Sequence, residues 1–316
     1  MKSKSFFPCP SATRKPDHLL KQKEFIESYL KESSCELSVL SFVNIFAWQD
    51  FFKFDFQLID RNLCIFAHNE LGCFQYLPPL GKNVSLQTIE QCFSTMESIN
   101  KGNGLTRIEN ISAKKLDLFS SDQYSLYKKS EEYVYFKDDI VHLKGNRYKS
   151  KRSSYNQFQR EYTFQYCPYE KGMKDSCLAL YEDWVQNRSH ATADSVYLQM
   201  LQENRQVHEL ILEYHKELGL IGRVVMMDDR VEAYTFGYEL NSKVFCVLFE
   251  ITSLEMSGSA VYLFREFCRD PICQRYSFIN AMDDFGMENI RRTKMSFYPR
   301  ILLPCYVAKQ KEQKRY

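Results

Sequence analysis

From Ser85 onward, apolar residues Ile89, Cys92, Phe93, Met96 and Ile99 recur at spacings of three and four, which predicts a helix with one buried face. Ser85 stands where its hydroxyl can cap that helix. Before it, Phe56 to Ala67 reads as two strands around a polar turn and Gly72 to Leu77 as a third, a meander stopped by Pro78 and Pro79. Pro16 and Asp17 open an earlier helix, with Leu19, Ile26 and Leu30 on one face, that ends near Ser33. Leu105 to Asn110 and Glu132 to Phe136 return the chain to a sheet.

The second half repeats this plan with longer helices. Cys177 to Val185 and a stretch from about Asp194 to Glu217 read as helices. Three strands follow, LIGRVVMM, VEAYTFGYEL and KVFCVLFEI, joined by polar turns at Asp228-Asp229-Arg230 and Asn241-Ser242-Lys243. A helix from Ser259 to Cys268, the strand Tyr276 to Asn280, a helix starting near Asp283 and a strand that Lys294 begins complete the series. The expected division is a tail over 1–15, a first domain over 16–143, a basic linker helix over 144–161 and a second domain over 162–316.

At 316 residues, with 44% hydrophobic and 26% charged, the chain has apolar surface enough for two cores and too much for disorder. A formal net charge of +2 implies no nucleic-acid partner by itself, so such a partner must be argued from local clustering. Eleven cysteines, an odd count without a secretory leader after Met1, point to reduced core thiols. Cys268 and Cys273 have no second close pair or His cluster, so no metal is expected. No segment has the ~20 apolar residues of a membrane span, nothing indicates peripheral membrane contact, and the expected compartment is the cytoplasm. Six histidines are scattered, and His142, His190, His208 and His215 read as surface or helix residues.

Two stretches carry chemistry. INAMDDFGMENIRRTKMSFYP places Asn280, Asp284, Gly286, Arg291, Lys294, Ser296 and Pro299 in one run, mixing charges of both signs among apolar residues. Between Leu143 and Gln159 stand Lys144, Arg147, Lys149, Lys151 and Arg152 without an acidic residue, while Tyr148 and Tyr155, one heptad apart, form an aromatic stripe for the core and leave the cations facing out. Such a helix suits a phosphate backbone, and equally a solvated linker. With Ser41 to Phe52 and Tyr76 to Gly81, these stretches resemble the phosphatidylglycerol lysyltransferase C-terminal domain family, related to the Fem-type aminoacyltransferases. The likeness runs from about Ser41 to the C-terminus. Ser153 departs from it, since the family often has Asn after its Lys-Arg pair.

The resemblance implies an α+β fold of two tandem GNAT-like (acyl-CoA N-acyltransferase) domains, each a mixed, mostly antiparallel sheet flanked by helices. The element order of the second half also matches a GNAT fold by itself. Such a sheet splays between its fourth and fifth strands, and Glu250 and Asn280 end those strands and are expected to point into the wedge. The loop EITSLEMSGSAVYL has one glycine and no Arg before its helix, a poor pyrophosphate cradle that disfavours coenzyme A. The resemblance implies aminoacyl-tRNA as co-substrate, with no cofactor and an unidentified amine or hydroxyl acceptor. Lys294 and Arg291 are then candidates for the oxyanion cation, and Asp284 or Glu250 for holding the donor ammonium. Asn280, Lys149, Lys151 and Arg152 are candidates for substrate binding. Asp284 and Arg291, seven apart on one predicted helix, also fit a capped helix with a salt bridge. An acyltransferase using a coenzyme A or carrier thioester, and a non-catalytic tRNA-binding or scaffold protein, remain as other readings.

Overall fold

Ser85 caps its helix as its position requires, accepting from the Thr88 backbone N–H at 3.1 Å. The computed structural model describes residues 16–33, 36–190 and 195–311. The expected tail over 1–15 and a helix start at Asp194 lie outside them. The described chain forms two compact units, one running to Glu131 and resuming at Leu303, the other spanning Glu132–Leu302.

In the first unit, α1 (Asp17–Leu20), α2 (Lys23–Glu32) and α3 (Phe42–Ala47) precede the meander of β1 (Lys53–Ile59), β2 (Asn62–Asn69) and β3 (Gly72–Gln75). The helix expected over 17–33 is thus two helices. Asp60 and Arg61, both left-handed, make the tight turn between β1 and β2. Then come α4 (Leu86–Asn100), β4 (Ile108–Ser112) and β5 (Tyr124–Phe136). The α4 stripe of Ile89, Cys92, Phe93 and Met96 packs on Cys64, Phe66, Cys73, Ile108 and Ile111, each side chain stabilising the fold by about 1–3 kcal/mol.

The second unit takes the last residues of β5 and then α5 (Lys137–His142), α6 (Lys149–Glu161), β6 (Gln165–Pro168), α7 (Lys174–His190) and α8 (Ser195–Tyr214). The predicted meander follows as β7 (Ile221–Met227), β8 (Arg230–Asn241) and β9 (Val244–Thr252). After it come α9 (Ser259–Arg269), β10 (Phe278–Asn280), α10 (Glu288–Met295) and β11 (Ile301–Gln310). Its sheet runs β5-β10-β9-β8-β7-β6, antiparallel except for the parallel pair β10 and β9.

The division therefore falls inside β5, where the basic stretch over 144–161 had been expected to mark it. The reason is twofold. Beyond Leu303, β11 pairs antiparallel with β4, Cys305 opposite Ser112, which returns the C-terminal strand to the first unit. The basic helix is also no free linker, because Tyr155 stacks on Tyr262 of α9 and Phe158 is fully buried beside it.

Where α6 meets α9 the backbones nearly touch. Gly258, at φ +87°, precedes α9, and a Cβ there would stand 2.4 Å from the Ser154 carbonyl oxygen. Left-handed geometry alone costs a non-glycine residue roughly 1–2 kcal/mol, and overpacking adds about 1–3. Gly258→Ala is expected to lower the unfolding midpoint in a thermal melt by several degrees; an unchanged midpoint would contradict this close approach.

Candidate functional site

The three-residue strand β10 pairs with β9 only as far as Asn280 opposite Cys246, while β9 runs on to Thr252. From Val247 onward that edge of β9 has lost its parallel neighbour, and the sheet forks. A bulge sits at the fork: Phe236 faces Phe249 and Gly237 faces Val247, leaving Leu248 extra. The bulge reverses the alternation. Phe245 and Val247 pack with Phe264 and Phe267, Phe249 stacks on His208 of α8, and Glu250 returns to the α9 side.

Glu250 keeps part of its surface exposed, yet its Oε1 is sealed from solvent and has no hydrogen-bond partner. Burial pushes this carboxyl up to about 8, against a smaller opposing pull from Lys294. A buried polar atom without a partner is expensive, and such atoms concentrate where a ligand completes the set.

Lys294 lies inside α10, where a strand had been expected to begin. The helix itself starts at Glu288 and not near Asp283, because Met282, Phe285 and Gly286 all adopt left-handed backbone and break any helix there. The ammonium of Lys294 donates to the carbonyls of Ala281, at 2.7 Å, and Asp283. An ammonium has three donors, so one is left over. Burial pulls Lys294 below its ordinary value, opposed by Asp283, Asp284, Cys246 and Glu132.

Asp284 belongs to the loop before α10, so the helical face it was expected to share with Arg291 does not form. Its Oδ1 accepts from the Gly286 N–H at 2.9 Å and its Oδ2 from the Tyr133 hydroxyl at 2.5 Å. Asn280 is fully buried, donating to Glu132 at 2.6 Å and accepting from the Met282 N–H at 2.8 Å, so its amide shapes the loop. Arg291 stands exposed on α10.

The basic stretch divides. Lys149 is exposed, whereas Arg152 turns inward to the carbonyls of Leu143 and, at 2.7 Å, Gly145. Lys151 is half-buried with its Nζ 4.0 Å from the Phe297 ring centre, and burial lowers its pKa. Tyr148 and Tyr155 are both buried, as the stripe required. The stretch is therefore brought to the end of α10, which the sequence did not reveal. Also missed were three tyrosine hydroxyls, Tyr133 to Asp284, Tyr135 to the Lys294 carbonyl at 2.9 Å and Tyr148 to the Phe297 carbonyl at 3.0 Å. The alternation in EYVYF, which puts Tyr133 and Tyr135 on one face, was the available signal.

Of the histidines, His208 is a helix residue of α8 and is buried, as is His215 just past that helix. His208 lies 3.0 Å from the Tyr234 hydroxyl, and burial drops it to about 3, so it is neutral. Among the described residues no group of three or more His, Cys, Asp and Glu side chains could hold a metal, and no helix is long and apolar enough to cross a membrane. A cavity of about 450 Å³ between α7 and the ends of β8 and β9, lined by Asp183, Trp184, Asp229 and Glu232, includes none of the site residues.

A conserved protein of unknown function from Bacteroides thetaiotaomicron superposes with a TM-score of 0.81 at 21% identity, covering 97% of this chain and 100% of its own. L-PGS from Bacillus licheniformis gives 0.64 at 15% identity over 92% and 93%, and FemX gives 0.61 at 7% over 92% and 96%. No curated protein sequence matches significantly. The fold is a tandem GNAT arrangement. The family described as "Phosphatidylglycerol lysyltransferase, C-terminal" matches residues 33–309, and the chain belongs to this family of acyl and aminoacyl transferases.

Proposed function

We propose that this chain transfers an aminoacyl group from aminoacyl-tRNA to an amine or hydroxyl acceptor, with the chemistry at Lys294 and Glu250. The observation that carries this reading is the fork between β9 and β10. It brings together a buried ammonium with one donor left over and a buried carboxyl whose Oε1 has no partner.

The acceptor's nitrogen or oxygen attacks the ester carbonyl carbon, and the carbonyl oxygen gains charge. The remaining N–H of Lys294 stabilises that oxyanion, with Asp283 and Asp284 keeping the ammonium protonated. The Glu250 carboxylate takes the proton leaving the acceptor. As the tetrahedral intermediate collapses, the carbon–oxygen bond to the ribose breaks, and the ribose oxygen leaves as a hydroxyl carrying that proton. An amide or ester forms, an ester is consumed, and no further reagent is needed. Asp284, with both oxygens already engaged, maintains the loop and its charge; Glu250 is the carboxyl open to a reactant.

What surrounds α10 supports this donor class. Lys151 and Arg147 come to its C-terminal end, with Lys149 exposed nearby in sequence, and these cations suit a phosphate backbone. Coenzyme A fits less well. Its pyrophosphate would need the loop before α9 as a cradle, and that loop has a single glycine, Gly258, crowded by the Ser154 carbonyl, and no Arg.

Purified protein incubated with labelled aminoacyl-tRNA and an extract of amines and lipids is expected to move label into a new product. Lys294→Ala should lower the rate on the order of 10²–10³-fold and Glu250→Gln about 10²–10⁴-fold, both folded by circular dichroism. Undiminished transfer in both variants would sink the reading. The wild-type rate should rise as pH approaches about 8, where Glu250 ionises.

Stability gives an independent check. The folded carboxyl, at about 8, holds its proton above the 4.5 at which an unfolded glutamate loses it. Between those values the native state binds more protons, so stability falls as pH rises through the window and levels off above it. Wild type should therefore lose melting temperature from about pH 5 to pH 8 relative to Glu250→Gln. Parallel curves would place Glu250 in water. Millimolar coenzyme A is expected to leave the melt unchanged, and a saturable upward shift would favour the thioester reading.

A further inference from the structure

We propose that Tyr298 and Arg147 form a stacking platform for the terminal base of the donor's RNA 3′ end. This rests on the aminoacyl-tRNA reading of the same site and adds where the last nucleotide is held.

Tyr298 is an exposed aromatic, 43% accessible, in a left-handed backbone conformation (φ 56°) that a tyrosine seldom adopts. Its placement is over-determined. The ring meets fully buried Tyr148 edge-on at 5.3 Å, and the Tyr148 hydroxyl is anchored to the adjoining Phe297 carbonyl at 3.0 Å. The backbone is tied to α10 through Tyr298 N–H to Met295 O at 2.9 Å and Phe297 N–H to Lys294 O at 3.2 Å. Core packing does not require a strained residue with an exposed ring. A flat ligand laid on that ring would use it.

The guanidinium of Arg147 lies 5.4 Å from the Tyr298 ring centre and 4.9 Å from that of Tyr148, while pairing with Asp139 at 3.2 Å. An aromatic face beside a cation is what unpaired nucleotides stack on, and such stacking tolerates any base because every base has a π face. The exposed cations close by in sequence, Lys144, Lys149, Arg291 and Arg292, outnumber the exposed acids Asp138 and Glu288, so the surface complements a phosphate chain. Tyr298 is four residues beyond Lys294, just past the end of α10. A base held there leaves its own ribose, which carries the ester, directed toward the ammonium.

The test uses two RNA minihelices, one ending in an unpaired 3′ adenosine and one lacking that nucleotide, with affinities measured by fluorescence anisotropy at fixed salt. Tyr298→Gly keeps the left-handed backbone without strain and removes the ring, and Tyr298→Phe retains the stacking face. Tyr298→Gly should bind the complete minihelix roughly 5- to 100-fold more weakly, the factor expected for one lost base–aromatic stack, with the truncated minihelix little affected. Tyr298→Phe should bind both like wild type. Equal affinity of Tyr298→Gly and wild type for the complete minihelix, in a protein that still transfers the aminoacyl group, would overturn the platform and leave the parent reading standing. Absence of both RNA binding and transfer in wild type would overturn the parent reading itself. Weakened sedimentation of Tyr298→Gly with anionic phospholipid vesicles, at unchanged RNA affinity, would reassign the ring to a membrane surface and also overturn the proposal.

Discussion

Residues 282–296 include no fully buried side chain, those of α10 among them, and three tyrosine hydroxyls help to hold the segment in place. Tyr133 and Tyr135 are anchored by their rings in the same cluster as Phe264, Phe267 and Phe297. A tyrosine projects its hydroxyl at a fixed distance from a buried ring and loses little rotamer freedom in doing so, so it can position a polar loop that has no apolar face. The three contacts are spaced along the segment. Tyr133 reaches the loop at Asp284, Tyr135 the helix at Lys294, and Tyr148 the turn at Phe297. The course of the segment from Asp284 to the turn before Tyr298 rests on them.

The shortness of β10 is the second constraint. Three residues of parallel pairing are enough to fix register, and the chain then leaves the sheet at Asn280, whose side chain bonds Glu132 on one side and the Met282 N–H on the other. Beyond Asn280 β9 keeps β8 on one edge and has lost β10 on the other, and the bulge in the β8–β9 ladder rotates Glu250 out of strict alternation and toward Lys294. Burial disfavours charge on both groups, so the carboxyl is raised, with Lys294 pulling it partly back, and the ammonium is lowered, with Asp283 and Asp284 opposing that shift.

Elements with their own periodicity were legible in the sequence. The α4 stripe as far as Met96, its Ser85 cap, the two meanders and the strand ending at Asn280 all follow from spacing and turn chemistry, whereas Ile99 on the last turn of α4 is exposed against the pattern. The Lys294 segment was misread for a physical reason. Asp283 to Gly286 looks like a helix start, but Asp284 bonds the Gly286 N–H two residues on, and this competes with a helix just as asparagine and aspartate do in turns. Arg152 illustrates a second limit. Its charge predicts exposure, yet two carbonyls left over at the end of α5 recruit it, and such a partner is visible only once the chain turns back at Leu143 and Gly145. The division of the chain was hidden for a third reason, since a strand that pairs far from its neighbours in sequence, as β11 does with β4, leaves no local trace.

Three non-glycine residues near the site, Met282, Phe285 and Tyr298, hold left-handed backbone, and each costs about 1–3 kcal/mol in the sense usual for such positions. Strain of this kind persists only where surrounding bonds fix it, and here the tyrosine hydroxyls and the Asn280 and Asp284 side chains do so. What the strain accomplishes differs between positions. At Met282 and Phe285 it folds the loop so that two carbonyls, of Ala281 and Asp283, converge on one ammonium and satisfy two of its donors. At Tyr298 it stops the chain just past α10 and turns a ring outward. A lysine fixed in this way need not reorganise when charge develops on a bound carbonyl, and that preorganisation is the main physical advantage a buried cation has over one in water.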